Sequence, residues 1–361
     1  MVARRPVLVT GSSGYLGAQV LAALAGRAEI VPIGLDVRAP RERLAGVVYE
    51  QADIRAAALD AIVARHQPAV VVHLASIVTP GPGSSRAFEY SVDVGGTRNL
   101  LQACVRHGVR RIIVSSSGAA YGYHADNPAW LCEDDPLRGN QGFAYSWHKR
   151  LVEDMLAGYR LEQPQLEQVV LRIGTILGAS VDNQITALFE RRWPIAIRGS
   201  DSPFVFVWDR DVVGAILHGL DGPAGVFNLA GDGKLGIAEI AARMGKRCLV
   251  VPSGLLKAVL FVLARLRLTR YGPQQVDFLR YRPVLDNRRL KEVFGYQPRL
   301  DSVAVFELWR TTRQRVEHEP PGRSQGEYRS AQHAGLSNEP PGRSQGEYRS
   351  AQHAGLPDDP A

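Results

Sequence analysis

The sequence predicts an α/β fold in which a doubly wound parallel sheet is covered by helices on both faces. Short apolar runs rich in β-branched residues alternate with longer stretches whose apolar residues recur at helical spacing. This pattern is typical of buried parallel strands joined by crossover helices. The 361 residues are 45% hydrophobic and 22% charged, enough for a large core in one or two domains.

The first predicted strand and helix enclose a glycine-rich turn. The run Pro6–Thr10 predicts a buried strand, and Tyr15 to about Ala25 has helical apolar spacing. Between them lies Gly11-Ser12-Ser13-Gly14, and Gly17 follows within the helix. Glycines here let the backbone approach a pyrophosphate, and the helix N-terminus offers free N–H groups. On this segment alone, an ordinary strand-to-helix turn is the alternative.

The second predicted strand, Glu29 to Leu35, is followed by a carboxylate at Asp36. Asp36 lies nineteen positions after Gly17, close to the ~20 expected of the residue that binds the adenosine ribose hydroxyls of a dinucleotide. A carboxylate there would repel a 2′-phosphate, so the sequence favours NAD over NADP. Arg38 keeps NADP open, since an Arg near this position can accept that phosphate.

The elements that follow repeat the alternation. Further strands are predicted up to Asp53-Ile54 and over Ala69–Ala75, Arg111–Val114 and Gln168–Leu171, with a long helix over Arg86–Arg106. Asp53 and Ile54 could contact an adenine or could lie in a solvated loop. The carboxyl ends of parallel strands meet at one edge of a sheet, and there they bind ligands. The residues expected at that edge are Gly11, Asp36, Ala75, Ser117 and Gly174.

Tyr145 and Lys149 are spaced to lie on one face of a helix, because residues at i and i+4 are neighbours there. A phenol has an ordinary pKa of about 10, and a nearby ammonium favours the phenolate form. Such a pair can relay a proton during interconversion of a secondary alcohol and a ketone. The hydroxyl of Ser117 could donate to the substrate oxygen. The alternatives are an exposed helical pair and a serine that merely ends a strand.

Cysteine content and charge constrain the class of protein. Cys104, Cys132 and Cys248 are far apart and have neither metal nor disulfide spacing, which predicts buried thiols, no metal site and a cytoplasmic location. The formal charge is +7, and a basic body suits an anionic cofactor or a phosphorylated substrate. No basic stripe interleaved with aromatic residues points to nucleic acid.

Two segments carry information on membranes and on partners. No signal-peptide pattern is expected at the N-terminus and no run of ~20 apolar residues predicts a membrane span. The most apolar stretch, Leu255–Leu266, includes Lys257. It predicts a buried or substrate-covering helix, with attachment to a membrane surface as the alternative. Residues 317–361 are predicted to be a disordered tail, in which Glu319–Leu336 recurs unchanged at Glu339–Leu356 with a period of twenty. A short partner-binding motif is the alternative for the tail.

Taken in order, these motifs resemble an extended short-chain dehydrogenase/reductase of the NAD-dependent epimerase/dehydratase type. The resemblance covers roughly residues 5–310. The segments that carry it are Thr10–Gly17, Asp36, Asp53-Ile54, His73–Ala75, Gly96–Leu101, Ser115–Ser117, Tyr121-Gly122, Tyr145 with Lys149, and Leu171–Gly174.

The resemblance implies a Rossmann-type core over residues 1–175 and a smaller substrate-binding portion over 176–316, part of which returns to the core sheet. It implies that Tyr145 is the general acid/base, that Lys149 activates it and binds the nicotinamide ribose, and that Ser117 orients the substrate. A homodimer through helices around residues 97–107 and 145–160 is implied as well. The implied NAD-binding residues are Gly11, Ser13, Gly14, Tyr15, Leu16, Gly17, Asp36, Asp53, Ile54, Leu74, Ala75, Tyr145 and Lys149.

The chain departs from the family pattern at Asp93, where the family usually has Asn, and at Ile173, where Pro is common. Replacement of that Asn puts the local hydrogen-bond network in doubt. The stretch Ser117–Ala120 contains no carboxylate, whereas dehydratases of the family carry a Thr-Asp-Glu run there, so dehydration is disfavoured.

Three functions remain open at this point. The first is epimerisation of a nucleotide sugar or similar polyol, with His124 and Asn183 as candidate substrate contacts. Arg192, Arg198 and Arg210 could meet a diphosphate or could be solvated. The second is a dehydrogenase or reductase of a sterol-like or lipid-like alcohol, suggested by the apolar segment 255–266. The third is a catalytically silent NAD(P)-binding sensor or scaffold, although such proteins typically lose the tyrosine or the lysine.

Overall fold

A computed structural model describes residues 4–81, 83–179, 181, 184–266, 268, 272–273 and 275–318. Its main feature is a parallel sheet of seven strands in the order β10-β6-β5-β4-β1-β2-β3. These strands are β1 (Arg5–Thr10), β2 (Ile30–Asp36), β3 (Val48–Gln51), β4 (Val70–His73), β5 (Arg111–Ser117), β6 (Glu167–Ile173) and β10 (Gly225–Leu229). The chain winds outward from β1 in both directions, so the predicted α/β class is confirmed.

Helices connect the strands. They are α1 (Tyr15–Ala25), α2 (Ala58–His66), α3 (Arg86–Tyr90), α4 (Thr97–Arg106), α5 (Ala144–Glu162), α6 (Gln184–Glu190), α7 (Asp209–His218), α8 (Ile237–Arg243), α9 (Ser253–Arg265), α10 (Gln275–Arg280) and α11 (Ser302–His318). Two short parallel pairs lie outside the main sheet: β7 (Thr175–Leu177) with β9 (Phe206–Trp208), and β8 (Ile195–Ile197) with β11 (Leu249–Val251). No helix among the described residues is both long and apolar enough to cross a bilayer.

Each central strand is buried on both faces. Val7 and Val9 join a core cluster that contains residues of α1 and α7, whereas Leu8 joins a cluster with residues of α2, α4 and α5. Parallel strands covered on both sides need apolar residues at successive positions, which explains the continuous apolar runs. A third cluster, rich in aromatic residues, joins the short strands to α11 through Phe206, Phe306 and Trp309.

Met1–Gln314 form one compact unit, and Arg315–Ala361 form a second. The described part of the second unit belongs to α11, so Glu317 and His318 are helical and their predicted disorder is wrong. The duplicated segment lies outside the described residues. Among the three cysteines, Cys104 is buried, but Cys132 and Cys248 are only half-buried, which corrects the prediction of three buried thiols.

The helix predicted over Arg86–Arg106 is not continuous. α3 passes into a π-helical turn at Ser91–Gly96 before α4 begins. The wider turn contains the buried carboxylate of Asp93, which accepts hydrogen bonds from the Ile77 amide and the Ser76 hydroxyl. Insertions of this kind occur often at functional sites. Smaller differences are that β5 continues to Ser117 and that β3 ends before Asp53.

The apolar helix α9 contributes no buried residue. Of the prediction of a buried or substrate-covering helix, the burial is therefore wrong, and the covering of a substrate stays a prediction. The segment is helical, as expected, but part of its apolar surface is turned to solvent.

A buried ion pair anchors α5 to the sheet. Arg172 Nη2 lies 2.8 Å from Glu153 Oε2, and Arg172 Nε donates to both oxygens of that carboxylate. Both side chains are about 95% buried. The Ser116 hydroxyl donates to Glu153 as well, so this one carboxylate links α5, β5 and β6.

Replacement of Glu153 by Ala should lower the free energy of unfolding by about 3–5 kcal/mol, because it leaves a buried guanidinium without its counter-charge. Urea unfolding would measure the loss. Asp154→Ala is the matched control, since the neighbouring carboxylate forms only an exposed pair with Arg150 and should cost less than about 1 kcal/mol. Equal effects of the two substitutions would contradict the assignment of Glu153 as the anchor.

Candidate active site

The carboxyl ends of the central strands bring the expected residues to one edge of the sheet. Thr10 is in register with Leu35 on one side and with His73 on the other. His73 is in register with Val114, and Ser117 with Ile173. The turn after β1, the end of β2, the loop after β4 and the end of β5 therefore border a common region.

The glycine turn is closely packed against the loop after β4. Gly11 has φ +71°, and a Cβ there would lie 2.7 Å from the Ala75 amide nitrogen. A Cβ on Gly17 would lie 2.1 Å from the Gly11 carbonyl oxygen. Only glycine fits at these positions, and α1 begins at Tyr15 without a side-chain cap. The uncapped N–H groups make this helix end suitable for an anion.

Asp36 and Asp53 differ in their availability. Asp36 accepts hydrogen bonds from the Ser13 amide at 3.0 Å and the Arg38 amide at 2.9 Å. Because a carboxylate has about four acceptor sites, others remain for ribose hydroxyls. Asp53 is instead clamped by Arg55, whose hydrogen bonds hold the pKa of Asp53 below its ordinary value despite partial burial. Ile54 is buried, and its carbonyl accepts from Asn99.

Tyr145, Lys149 and Ser117 lie on two adjoining elements. Lys149 Nζ is 5.7 Å from the centre of the Tyr145 ring and donates a 2.8 Å hydrogen bond to the Ser115 carbonyl on β5. Ser117 ends the same strand, and its hydroxyl accepts from the Ala119 amide at 3.2 Å. Lys149 is buried, whereas Tyr145 is half-buried. This placement suits a proton-transfer site that opens toward a substrate.

His73, a buried and neutral histidine, lies between two threonine hydroxyls next to this region. His73 Nδ1 lies 2.7 Å from the Thr10 hydroxyl, and its Nε2 lies 2.9 Å from the Thr97 hydroxyl. Thr97 donates to the Asp93 carbonyl, so His73 carries its proton on Nε2 and accepts at Nδ1. Burial, with the charge of Lys149, lowers the pKa of His73 to about 3. The sequence analysis gave His73 no individual role.

Asp93 accepts hydrogen bonds in a network that includes His148, to which the sequence assigned no role. Besides the bonds from Ser76 and Ile77, its Oδ2 lies 3.1 Å from Nδ1 of the buried His148. Burial alone would raise the pKa of Asp93, but the His148 hydrogen bond and the Lys149 charge bring it below its ordinary value. The carboxylate of Asp93 is therefore satisfied, although Nε2 of His148 has no hydrogen-bond partner among the described residues.

An aromatic cluster joins Tyr145 to a buried arginine. Phe143 lies 6.2 Å from the Tyr145 ring and 5.2 Å from Phe278, which lies 4.7 Å from Tyr123. The Arg282 guanidinium sits 4.6 Å from the Phe278 ring, and its Nη1 has no hydrogen-bond partner among the described residues. Burial lowers the pKa of Arg282 to about 10. Sequence reasoning missed Arg282 because it is far from every motif along the chain.

The cavity beside this cluster is about 390 Å³ in volume and includes His124 in its lining. His124 is half-buried, with Nε2 3.0 Å from the Gly139 carbonyl. Asn183 lies outside the described residues. Arg192 and Arg210 stack on Trp193 and Trp208, and Arg198 is exposed. None of these three has the burial of Arg282.

A family model described as "NAD dependent epimerase/dehydratase family" matches residues 7–230. An uncharacterized protein of Mycobacterium tuberculosis is 26% identical over 309 residues, which are 83% of this chain and 82% of that protein. UDP-glucose 4-epimerase of Yersinia pestis is 29% identical over 67% of this chain and 82% of its own length.

Solved structures share the fold. A short-chain dehydrogenase/reductase superfamily protein of Agrobacterium tumefaciens with bound NAD has a TM-score of 0.67 and 23% identity, over 87% of this chain and 98% of that one. UDP-glucose 4-epimerase of Thermotoga maritima with UDP-glucose has a TM-score of 0.66 and 20% identity, over 87% and 100%. At these identities the likeness concerns the fold alone.

The buried, neutral His73 should make the protein less stable in acid. Its folded pKa of about 3 lies below the ordinary 6.5, so the unfolded chain binds the extra proton as the pH falls. The stability is fully present above about pH 6.5 and is lost below it. Between pH 7 and pH 5, wild type should lose about 2 kcal/mol more unfolding free energy than His73→Gln. Urea unfolding at both pH values measures this, and parallel losses would contradict a neutral His73.

Proposed function

The chain belongs to the NAD dependent epimerase/dehydratase family, and from that premise we propose that it catalyses NAD-dependent hydride transfer at a secondary alcohol. The reaction we favour is epimerisation of a nucleotide sugar or similar polyol. The observation that carries the proposal is the placement of Tyr145 and Lys149 on α5 directly beside the end of β5, where Ser117 lies.

The residues around the glycine turn fit the pyrophosphate and ribose of NAD. A Cβ at Gly11 would collide with the Ala75 backbone, so glycine preserves the close approach that a dinucleotide requires. The start of α1 would bind the pyrophosphate, and Asp36 would accept from the adenosine ribose hydroxyls. When bound, NAD accepts hydride from the alcohol carbon and can return it to the resulting ketone.

In this proposal the chain's own residues move the proton and hold the substrate. The Tyr145 phenolate oxygen takes the proton of the substrate hydroxyl and later returns it to the carbonyl oxygen. Lys149 Nζ lies 5.7 Å from the centre of the Tyr145 ring, where its positive charge would stabilise the negative charge that develops during proton transfer. The Ser117 hydroxyl donates to the substrate oxygen and limits its motion. Epimerisation further requires that the ketone can turn within the site between the two transfers.

The environment of Arg282 supports the proposal that the substrate is an anion. A buried guanidinium with an unpaired donor is costly unless an anion completes its hydrogen bonds. The neighbouring rings of Phe278, Phe143 and Tyr145 connect Arg282 to the proposed acid/base. A diphosphate is the anion that a nucleotide sugar would supply. Relatives named UDP-glucose 4-epimerase are consistent with this class.

The two alternatives have less support. An apolar alcohol was suggested by the segment 255–266, but no residue of α9 is among those that line the cavity beside Tyr123 and Phe143. A silent sensor would not need a tyrosine and a lysine in this arrangement. The homodimer, the cytoplasmic location and the division into residues 1–175 and 176–316 stay predictions.

Replacement of Tyr145 by Phe should reduce turnover about 10²–10⁴-fold, because it removes the acid/base and leaves the ring in place. UDP-glucose/UDP-galactose interconversion is the first assay. Tyr159→Phe, on the same helix, is the matched control and should keep full activity. Denatured wild type and Tyr145→Phe should both release about one NAD per chain, as a recycled cofactor requires.

Full activity in Tyr145→Phe would remove the proposed relay. Protein that releases no nucleotide, yet oxidises an alcohol with added NAD, would favour the dehydrogenase over the epimerase. Bound NAD without turnover on any of a panel of nucleotide sugars and polyols would favour the sensor.

Replacement of Asp36 by Asn should weaken NAD binding about tenfold, because hydrogen bonds to a charged acceptor are worth roughly 1.5–3 kcal/mol. It should also narrow the preference for NAD over NADP, since the charge that repels a 2′-phosphate is gone. Calorimetric titration of nucleotide-depleted protein with each dinucleotide measures both effects. Asp221→Ala is the control, because Asp221 pairs with Arg5 at the opposite edge of the sheet. An unchanged preference would exclude Asp36 as the selector.

A further inference from the structure

Helix α9 presents an apolar stripe to solvent. Leu255, Val259, Val262 and Leu266 recur at i, i+4, i+7 and i+11, and they are 57%, 45%, 53% and 61% exposed. This spacing normally marks the side of a helix that faces a core. No residue of α9 is fully buried; Leu256, Leu260 and Leu263, on the other side of the helix, are half-buried, so the stripe is left over after the helix has packed on the protein.

The exposed surface continues beyond the helix. β11 leads directly into α9, and its Leu249 and Val250 are each more than half exposed. The Leu249 amide donates to the Pro194 carbonyl, next to Trp193, which is 58% exposed. We call the exposed residues Trp193, Leu249, Val250 and the α9 stripe together the apolar patch. Large apolar side chains exposed together in one part of the chain indicate an interaction site.

The chain segment that contains β11 and α9 is basic, and one of its cations, Lys257, is paired with Asp277 of α10 at 3.0 Å. Residues 246–270 include six Lys and Arg and no Asp or Glu. Arg192 lies over the Trp193 ring at 5.0 Å. An apolar face flanked by Lys and Arg, with a Trp beside it, suits the boundary between lipid headgroups and acyl chains. Its charge is complementary to anionic headgroups.

We propose that the apolar patch seats the protein on an anionic lipid surface, with α9 lying in the plane of the interface. A helix of thirteen residues is about 20 Å long, too short to cross a bilayer. A second copy of the chain is a poorer occupant, because a two-fold interface would place two basic segments against each other. The chain's own residues 319–361 are poorly suited too, since their only large apolar side chains are two Tyr and two Leu.

The test is flotation of the full chain with two kinds of vesicle. One consists of phosphatidylcholine alone, and the other also contains about 30% phosphatidylglycerol, an anionic lipid whose charge attracts basic segments. Wild type should bind the anionic vesicles and not the neutral ones, and added NaCl should weaken binding. Val262→Glu should reduce binding at least about tenfold by placing a carboxylate in the stripe. Arg265→Gln should reduce it about fivefold.

Leu161→Glu is the matched control, since Leu161 is an 85% exposed leucine on α5, away from the patch. It should bind as wild type does. Circular dichroism and thermal unfolding of each variant would show that the fold is retained. Absence of binding to anionic vesicles at low salt, or binding unaffected by Val262→Glu, would overturn the proposal. A dimer that Val262→Glu dissociates, without vesicle binding, would assign the patch to a second copy instead.

Discussion

The buried pair of Arg172 and Glu153 fixes the geometry on which the candidate site depends. Glu153 lies one turn beyond Lys149 on α5, and Arg172 lies in β6 beside β5. Through the bond from Ser116 the same carboxylate also holds the last residues of β5. The positions of Tyr145 and Lys149 relative to Ser117 are therefore set by a charged contact inside the protein. A buried ion pair adds little net stability compared with an apolar pair, but removing one partner is costly. The pair therefore restricts the position of α5 relative to the sheet.

The buried polar residues beneath the site, His73 and Asp93, leave little uncompensated charge inside the protein. His73 remains neutral between two hydroxyls, which avoids a second cation beside Lys149. Asp93 supplies a negative charge nearby and is satisfied by an amide, a hydroxyl and His148. The π-helical turn at Ser91–Gly96 brings this carboxylate inward. The buried carboxylate of Asp93 therefore lies at an irregularity of the backbone.

The sequence was sufficient for features that depend on local pattern. Apolar runs predicted the sheet strands because both faces of a parallel sheet are buried, and the order of motifs predicted the family. Arg282 and His148 could not be found in this way, because their significance comes from contacts with residues distant in the chain. The exposure of α9 was also beyond reach, since apolar helical periodicity is the same whether the face meets a core, a partner or a lipid surface. Only the three-dimensional arrangement separates those cases.

Arg282 and the basic segment at residues 246–270 differ in burial, and this difference indicates different roles for the two. Arg282 is about 90% buried among aromatic rings near Tyr145, where a single anion of defined shape can complete its hydrogen bonds. The cations of residues 246–270 are spread along a stretch of sequence that also contains the exposed apolar side chains of the patch. Many dispersed negative charges suit such a distribution better than a single anion does. A buried donor demands a specific ligand, whereas a dispersed basic rim favours an extended surface. The protein is thus expected to bind two kinds of anion: a substrate anion at the buried Arg282, and anionic lipid headgroups at the apolar patch.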